Sequence, residues 1–404
     1  MSAPARSCRA RRAASPSRSK VLLALERHAG ALLARRPPIP RRRHVLNRML
    51  TCRTAAAGAH LFVCEECGTT RPVYNSCLDR HCPQCQGPAT AKWLEARQAK
   101  MLPTPHFQVV FTLPAELRGL AMANQKVLYT LMFRAAASVL RDLAQQHLQA
   151  RLGVLSVLHT WKSDLGYHPH IHCLVTAGGL HQDDDRWVST GPKWLFDHKV
   201  MGAMFRGRFT EELVDAFDRG QIGLLGERRQ AGRTFRATTR KLSNKHARWV
   251  VHVEAPKGRP VEHVVGYLAR YVKRVAIADS RVLTITDTTV TIATREGPRV
   301  LHGPDFVRRF LNHVLPRSFR KVRYYGLYAP GNAKVRLEVA RDLLVQVDGG
   351  HEQQLDDQTD LERDDRLPKK AESRRWRCQE CGSHRTYRIF VLARGVVRIA
   401  RAPP

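Results

Sequence analysis

Four histidines crowd one short stretch of the chain, "HTWKSDLGYHPHIHCLVTAGG", at His159, His168, His170 and His172. In an extended strand alternate side chains point the same way, so His170 and His172 share a face about 7 Å apart, with Ile171 turned to the other side. Two imidazoles so placed can converge on one metal ion. His159 ends the strand before and is a third candidate ligand. His168 competes for that place, although Pro169 bends the chain beside it. A lone histidine among the 19 of this chain is more often structural. Four in one stretch that runs to Gly178 and Gly179 point to a metal.

Downstream, "GYLARYVKR" sets Tyr267 and Tyr271 four residues apart, on one face of a helix with Cβ atoms about 5–6 Å apart. Arg270, Lys273 and Arg274 surround them as candidate DNA contacts. A phenol is a weak nucleophile at its ordinary pKa near 10. A divalent metal, Mg²⁺ or Mn²⁺, polarising a phosphate amid these cations makes attack feasible, and the product is a covalent phosphotyrosine. Such a bond stores the energy for rejoining, and no GxxxxGK[ST] nucleotide loop is present. Tyrosines at helical spacing are more often packing residues. The histidine strand upstream and the cations decide for chemistry.

Ten cysteines lie in the chain. "CEEC" (Cys64, Cys67) and "CPQC" (Cys82, Cys85) are separated by 14 residues, a spacing that predicts one structural four-thiolate zinc site. Cys52, His60, Cys77 and His81 lie around it and allow a second site. Cys378 and Cys381, with His384, make a half-site without an evident fourth ligand. A closed four-cysteine site leaves no position for substrate, so none of these is read as catalytic.

These groups need a scaffold. "HFQVVFTLP", "LGVLSVLHTW", "HIHCLVTAGGL" and "RWVVHVEAP" read as strands. A helix with Val127, Leu128, Leu131, Ala135, Val139 and Leu143 at helical spacing follows the first. Another, with Phe205, Phe209, Leu213 and Phe217 at steps of four, follows the third. The order predicts an α+β fold, an antiparallel sheet with helices packed on it, preceded by a small zinc-binding domain. The expected divisions are a basic disordered arm at 1–45, ordering only on nucleic acid, with room for one short amphipathic helix around Lys20 to Arg35 that the following prolines break, and the zinc domain at 46–100. The nuclease domain follows at 101–280, a basic extension with a hairpin at 281–345, and an acidic linker with the CxxC tail at 346–404. Lys and Arg number 68 against 35 Asp and Glu, a net +33, which calls for a polyanionic partner. No apolar run approaches the roughly 18–20 residues that cross a membrane, nor is there a secretory signal. The expectation is a cytoplasmic protein without membrane partners.

Taken together, "HPHIHCLVTAGGL", "YLARYVKRVA", "SCLDRHCPQCQ", "FTLP" and "FLNHVLPRSFRKVRYYGLYAP" resemble the bacterial rolling-circle insertion-sequence transposases of the HUH two-tyrosine class, the insertion sequence ninety-one group. The resemblance covers roughly residues 45–330. It implies metal ligation by His170 and His172, with His159 matching the third histidine of related relaxases by its spacing. It implies attack by Tyr267 and Tyr271 on single-stranded DNA at element-end hairpins or termini, giving a 5′-phosphotyrosine and a free 3′-hydroxyl. With no helicase domain evident, a host helicase would supply the unwound strand. Tyr324 stands where the family pattern leads one to expect a histidine. The alternatives are a plasmid replication initiator or mobilisation relaxase with the same chemistry, and a non-enzymatic zinc DNA-binding protein.

Overall fold

The structure is a computed structural model that describes residues 18–35, 37–191, 195–224, 228–247, 249–256, 266, 276–331, 335–348, 378, 380–383, 385–391 and 397–400. Its centre is an antiparallel sheet in the order β11-β4-β5-β3-β7. The strands are β3 (His106–Thr112), β4 (Ala150–Trp161), β5 (Tyr167–His181), β7 (Val251–Glu254) and β11 (Val322–Gly326), with β6 (Trp187–Ser189) pairing the end of β5. The expected α+β class is the observed one.

Period-two alternation sorts the sheet into two faces. Phe107, Val109 and Phe111 of β3, and Ile171, Cys173 and Val175 of β5, bury against α5 (Gln125–Leu148) and α6 (His198–Asp218). The helical stripes named above supply the opposing surface, with Leu128, Leu131, Val139, Leu143, Phe205, Phe209 and Leu213 all buried. The Asp197 carboxylate starts α6 by accepting from the backbone N–H groups of Lys199 and Val200. The other face carries Leu155, Leu174 and Leu180, covered by α9 (Arg336–Asp348) and by Trp93 and Leu94 of α3 (Pro83–Gln98).

β5 does not stop at Gly178 and Gly179; it runs through them to His181. An added Cβ would lie 2.5 Å from the Val188 carbonyl oxygen at Gly178 and 2.6 Å from that of Arg151 at Gly179. The glycines therefore admit neighbouring backbones rather than end the strand.

The disordered arm expected at 1–45 is corrected from residue 18 onward. Lys20–Arg35 forms α1, as its amphipathic pattern allowed, and Pro40–Leu50 forms α2, which was not expected. Pro40 sits in the first turn of α2, where its missing N–H costs nothing, so the prolines separate two helices instead of ending order. Val21, Leu22, Leu25, Val45, Leu46 and Met49 bury against Phe306, Val307 and Phe310 of α8 (Gly303–Asn312). The stretch 281–345 is likewise not one extension. Its hairpin β9 (Thr289–Thr294) and β10 (Gly297–His302) pairs with β8 (Val282–Ile285) beside α1 and α8, β11 joins the central sheet, and α9 covers it. The end of the chain pairs with its beginning, in a sheet ordered β13-β12-β1-β2. Those strands are β1 (Ala59–Cys64), β2 (Thr70–Tyr74), β12 (Thr386–Val391) and β13 (Val397–Ala400).

Two buried histidines outside the cluster couple this fold to pH. The His106 ring bonds the Thr104 carbonyl and the Tyr328 hydroxyl, at 2.7 Å each. His313 bonds the Thr160 hydroxyl and the Leu165 carbonyl. Burial holds both imidazoles down at about 4, against an ordinary value near 6.5. The unfolded chain therefore takes up protons first as pH falls. The associated stability is complete above about 6.5 and is lost toward about 4, at about 1.4 kcal/mol per pKa unit. Urea midpoints are expected to drop steadily across that window, and His106→Gln with His313→Gln should flatten the slope. An unchanged slope in the double variant would remove these two groups as the cause.

Candidate metal and nuclease centre

The register of the sheet builds the histidine cluster. His159 of β4 lies directly opposite His170 of β5, and Val157 lies opposite His172. All three imidazoles thus emerge on one face, the face of Leu155 and Leu174. Ring centroids are 4.2 Å apart for His159 and His172, 5.0 Å for His170 and His172, and 5.3 Å for His159 and His170. One ligand nitrogen from each lies within 4.8 Å of the others. An ion about 2.1 Å from each nitrogen needs separations of roughly 3–4 Å, a small rotation away.

Burial, the largest cause, pushes all three imidazoles down: His170 to about 4, His172 to about 3, and His159 well below its ordinary value. At neutral pH they are uncharged and offer lone pairs, the form a metal requires. The donor set therefore fits a divalent ion. His170 Nδ1–H donates to the His168 carbonyl at 2.7 Å, which leaves Nε2 as its ligand atom. His159 stacks on Trp161, with ring centroids 4.9 Å apart. His168 is not among the converging ligands, although its ring lies 5.5 Å from that of His170; its Nδ1 is taken by Arg118 at 2.9 Å.

The cluster has neighbours that its own segment does not disclose. The Gln108 side-chain amide, from β3, lies 3.0 Å from His172 Nδ1. As placed, the amide N–H donates to Nδ1; turned by 180°, its carbonyl accepts from Nδ1–H and frees Nε2 for a metal. Cationic side chains lie near the histidines. After burial and the neighbouring imidazoles, the charge of Lys321 depresses His159; that of Arg295 depresses His170 after burial; and His168 is depressed by burial, His170, and then Arg118 and Lys162. Four cations around uncharged imidazoles favour an anionic ligand. Tyr324 lies on the same sheet face, receiving a hydrogen bond from the Trp93 indole at 3.3 Å.

Tyr267, Tyr271, Arg270, Lys273 and Arg274 lie outside the described residues, as does His384. The chain leaves the sheet along β7, where His252 pairs with Val110, itself opposite His172, and it is described continuously again from Ala276.

The single zinc site expected from Cys64, Cys67, Cys82 and Cys85 is corrected: its two halves belong to different clusters. Cys82 and Cys85 gather with Cys52 and Cys77, while Cys64 and Cys67 gather with Cys378 and Cys381. In the first cluster Cys52 follows α2, Cys77 follows β2, and Cys82 and Cys85 open α3. Sγ–Sγ distances of 3.5 Å (Cys52–Cys85) and 3.7 Å (Cys77–Cys85) approach the edge of about 3.8 Å in a tetrahedron with 2.3 Å zinc–sulfur bonds. The alternative set of Cys52 and Cys77 with His60 and His81 does not form. His60 lies on β1, and His81 is tied to Asp79 at 2.7 Å while accepting from the Leu315 N–H at 3.1 Å.

Residues 24–113 match the family described as transposase zinc-binding domain, and residues 153–337 match the family described as putative transposase. The putative transposase y4qJ of Sinorhizobium fredii is 40% identical over 316 residues, 75% of this chain and 78% of that protein. The transposase for insertion sequence element IS801 of Pseudomonas savastanoi pv. phaseolicola is 30% identical over 306 residues, 70% of this chain and 69% of that one. No solved structure matches. No described helix is long and apolar enough to cross a membrane.

Proposed function

The chain belongs to the insertion-sequence transposase family with an N-terminal zinc-binding domain, and from that premise we propose that it cuts and rejoins single-stranded DNA at element ends by tyrosine attack. The observation that carries this reading is the convergence of three uncharged imidazoles, His159, His170 and His172, with the charges of Lys321 and Arg295 acting on the set. A Mg²⁺ or Mn²⁺ ion held there would polarise the scissile phosphate. Arg118, Lys162, Arg295 and Lys321 would neutralise the approaching backbone. Exposed Arg233, Arg236, Arg240 and Lys241 of α7 (Arg228–Ser243) extend the basic surface.

In the proposed step, the Oη of Tyr267 or Tyr271 forms a bond to phosphorus as the bond from phosphorus to the 3′-oxygen breaks. The phenol proton passes to solvent, and the departing 3′-oxygen takes a proton from solvent to leave as a hydroxyl. The 5′-phosphotyrosine conserves the bond for the reverse attack by a 3′-hydroxyl, so joining needs no nucleotide. A host helicase would present the single strand.

The test is covalent capture. Labelled single-stranded element ends incubated with the protein and Mn²⁺ or Mg²⁺ are expected to yield a denaturant-resistant protein–DNA adduct. Absence of an adduct across the metal range would leave a zinc-containing DNA-binding protein as the better reading. Gln108 offers a finer check. Gln108→Leu removes a hydrogen-bond partner of His172 and should weaken Mn²⁺ affinity about 10–100-fold, as loss of a ligand-orienting hydrogen bond does. Gln108→Glu keeps an acceptor and should retain most of it. Equal losses in both variants would mean that Gln108 only packs.

A further inference from the structure

The zinc-binding match ends at residue 113, yet two cysteines near the end of the chain sit against it. Cys64 Sγ lies 3.5 Å from Cys381 Sγ, and Cys67 Sγ lies 3.5 Å from Cys378 Sγ. We infer that Cys64, Cys67, Cys378 and Cys381 hold a second structural zinc ion, one that fastens the C-terminal segment onto the N-terminal module.

Three independent features support it. First, the two contributing segments have the same local build. Each reads Cys-x-Glu-Cys-Gly, Cys64 to Gly68 and Cys378 to Gly382. In each, the glycine N–H returns to the carbonyl of the first cysteine, at 3.0 Å for Gly68 and 2.9 Å for Gly382. In each, the N–H of the first cysteine donates to the residue after the glycine, at 3.0 Å to Thr69 and 2.7 Å to Ser383. Both glycines have positive φ, 67° and 76°, which lets the chain turn back at no steric cost. These turns aim both sulfurs of a pair to one side. Second, the pairs face each other, and 3.5 Å approaches the edge of about 3.8 Å required around tetrahedral zinc. Third, the strand entering the first turn pairs in register with the strand leaving the second, with Cys64 opposite Thr386 and Ala59 opposite Val391, and Glu65 N–H donates to the Arg385 carbonyl at 3.0 Å. Four thiolates in a closed tetrahedron leave no open position, so the ion is structural.

The contacts join residues 317 and 311 positions apart. Among the described residues the tail is otherwise held by the pairing of β12 with β1 and by an ion pair of Arg385 with Glu65 at 3.4 Å. The ion makes the tail part of the folded zinc module.

Zinc per chain, measured by mass spectrometry of the elements on the purified full chain, tests this. Cys378→Ser with Cys381→Ser is expected to lose one zinc relative to the unaltered chain. Cys64→Ser with Cys67→Ser should lose one as well, and all four changes together should still lose only one, because one ion is shared. Adding Cys82→Ser and Cys85→Ser should remove another. Zinc content unchanged by the tail variant, or two ions lost from the fourfold variant, would overturn the assignment. Disulfides of Cys64 with Cys381 and Cys67 with Cys378 in the freshly purified protein would also overturn it. If serine variants fail to fold, Cys381→His supplies a second route. It should keep the ion but weaken the thiolate charge-transfer absorption of the Co²⁺-substituted protein, and an unaltered spectrum would count against ligation.

Discussion

Replacing His172 with alanine is expected to lower adduct formation on single-stranded DNA by about 10³-fold, since loss of several kcal/mol of metal assistance translates at about 1.4 kcal/mol per decade. His172 is the member to remove because it is central. Its ring is 4.2 Å from that of His159 and 5.0 Å from that of His170, and Gln108 braces its far nitrogen. Alanine leaves two ligands, too few to hold Mg²⁺ or Mn²⁺ against water. The loss should shrink at high Mn²⁺, because weakened binding is restored by mass action. DNA affinity and its steep salt dependence rest on the cations around the site and should barely change. The measurement is adduct yield against Mn²⁺ concentration for both proteins, with binding followed in parallel. A variant that cuts within tenfold of the parent at every metal concentration would remove the histidine cluster from the chemistry.

The two halves of the molecule were unequally legible. The histidine strand follows from local pattern: alternation put His170 and His172 on one face, and β5 carries them so. That His159 lies opposite His170 depends on strand register, which turn geometry and burial set together. Gln108, Arg295 and Lys321 were not legible, because each reaches the site from another element, and only the sheet order brings β3 beside β5. The cysteines failed for a related reason. Spacing within a CxxC pair identifies a ligand turn but does not name the turn that faces it. Cys64 and Cys67 are completed from beyond residue 377, while Cys82 and Cys85 are completed by Cys52 and Cys77. Charge misled at the N-terminus. The helix at Lys20–Arg35 was legible from its amphipathic pattern, but the basic, proline-containing run "RRPPIPRRR" hid the second helix, Pro40–Leu50, and the burial of both apolar faces against α8.

Changing both Tyr267 and Tyr271 to phenylalanine is expected to remove the covalent adduct, a loss of more than about 10⁴-fold, as when an enzyme loses its nucleophile. Phenylalanine keeps the ring and deletes only the oxygen that bonds phosphorus, so folding, zinc content and DNA binding should stay unchanged. The pattern should differ from that of His172→Ala in one respect: no concentration of Mn²⁺ restores a missing nucleophile. The single variants probe the division of labour. If one tyrosine opens the donor strand and the other cuts the second, each single variant should still form an adduct, while joining of two ends falls in both. If a single change abolishes the adduct alone, that tyrosine is the sole nucleophile and its partner packs. Should the double variant still capture DNA, the attacking group lies elsewhere. Peptide mapping of the labelled adduct would then identify it directly, and Tyr267 and Tyr271 would drop out of the chemistry.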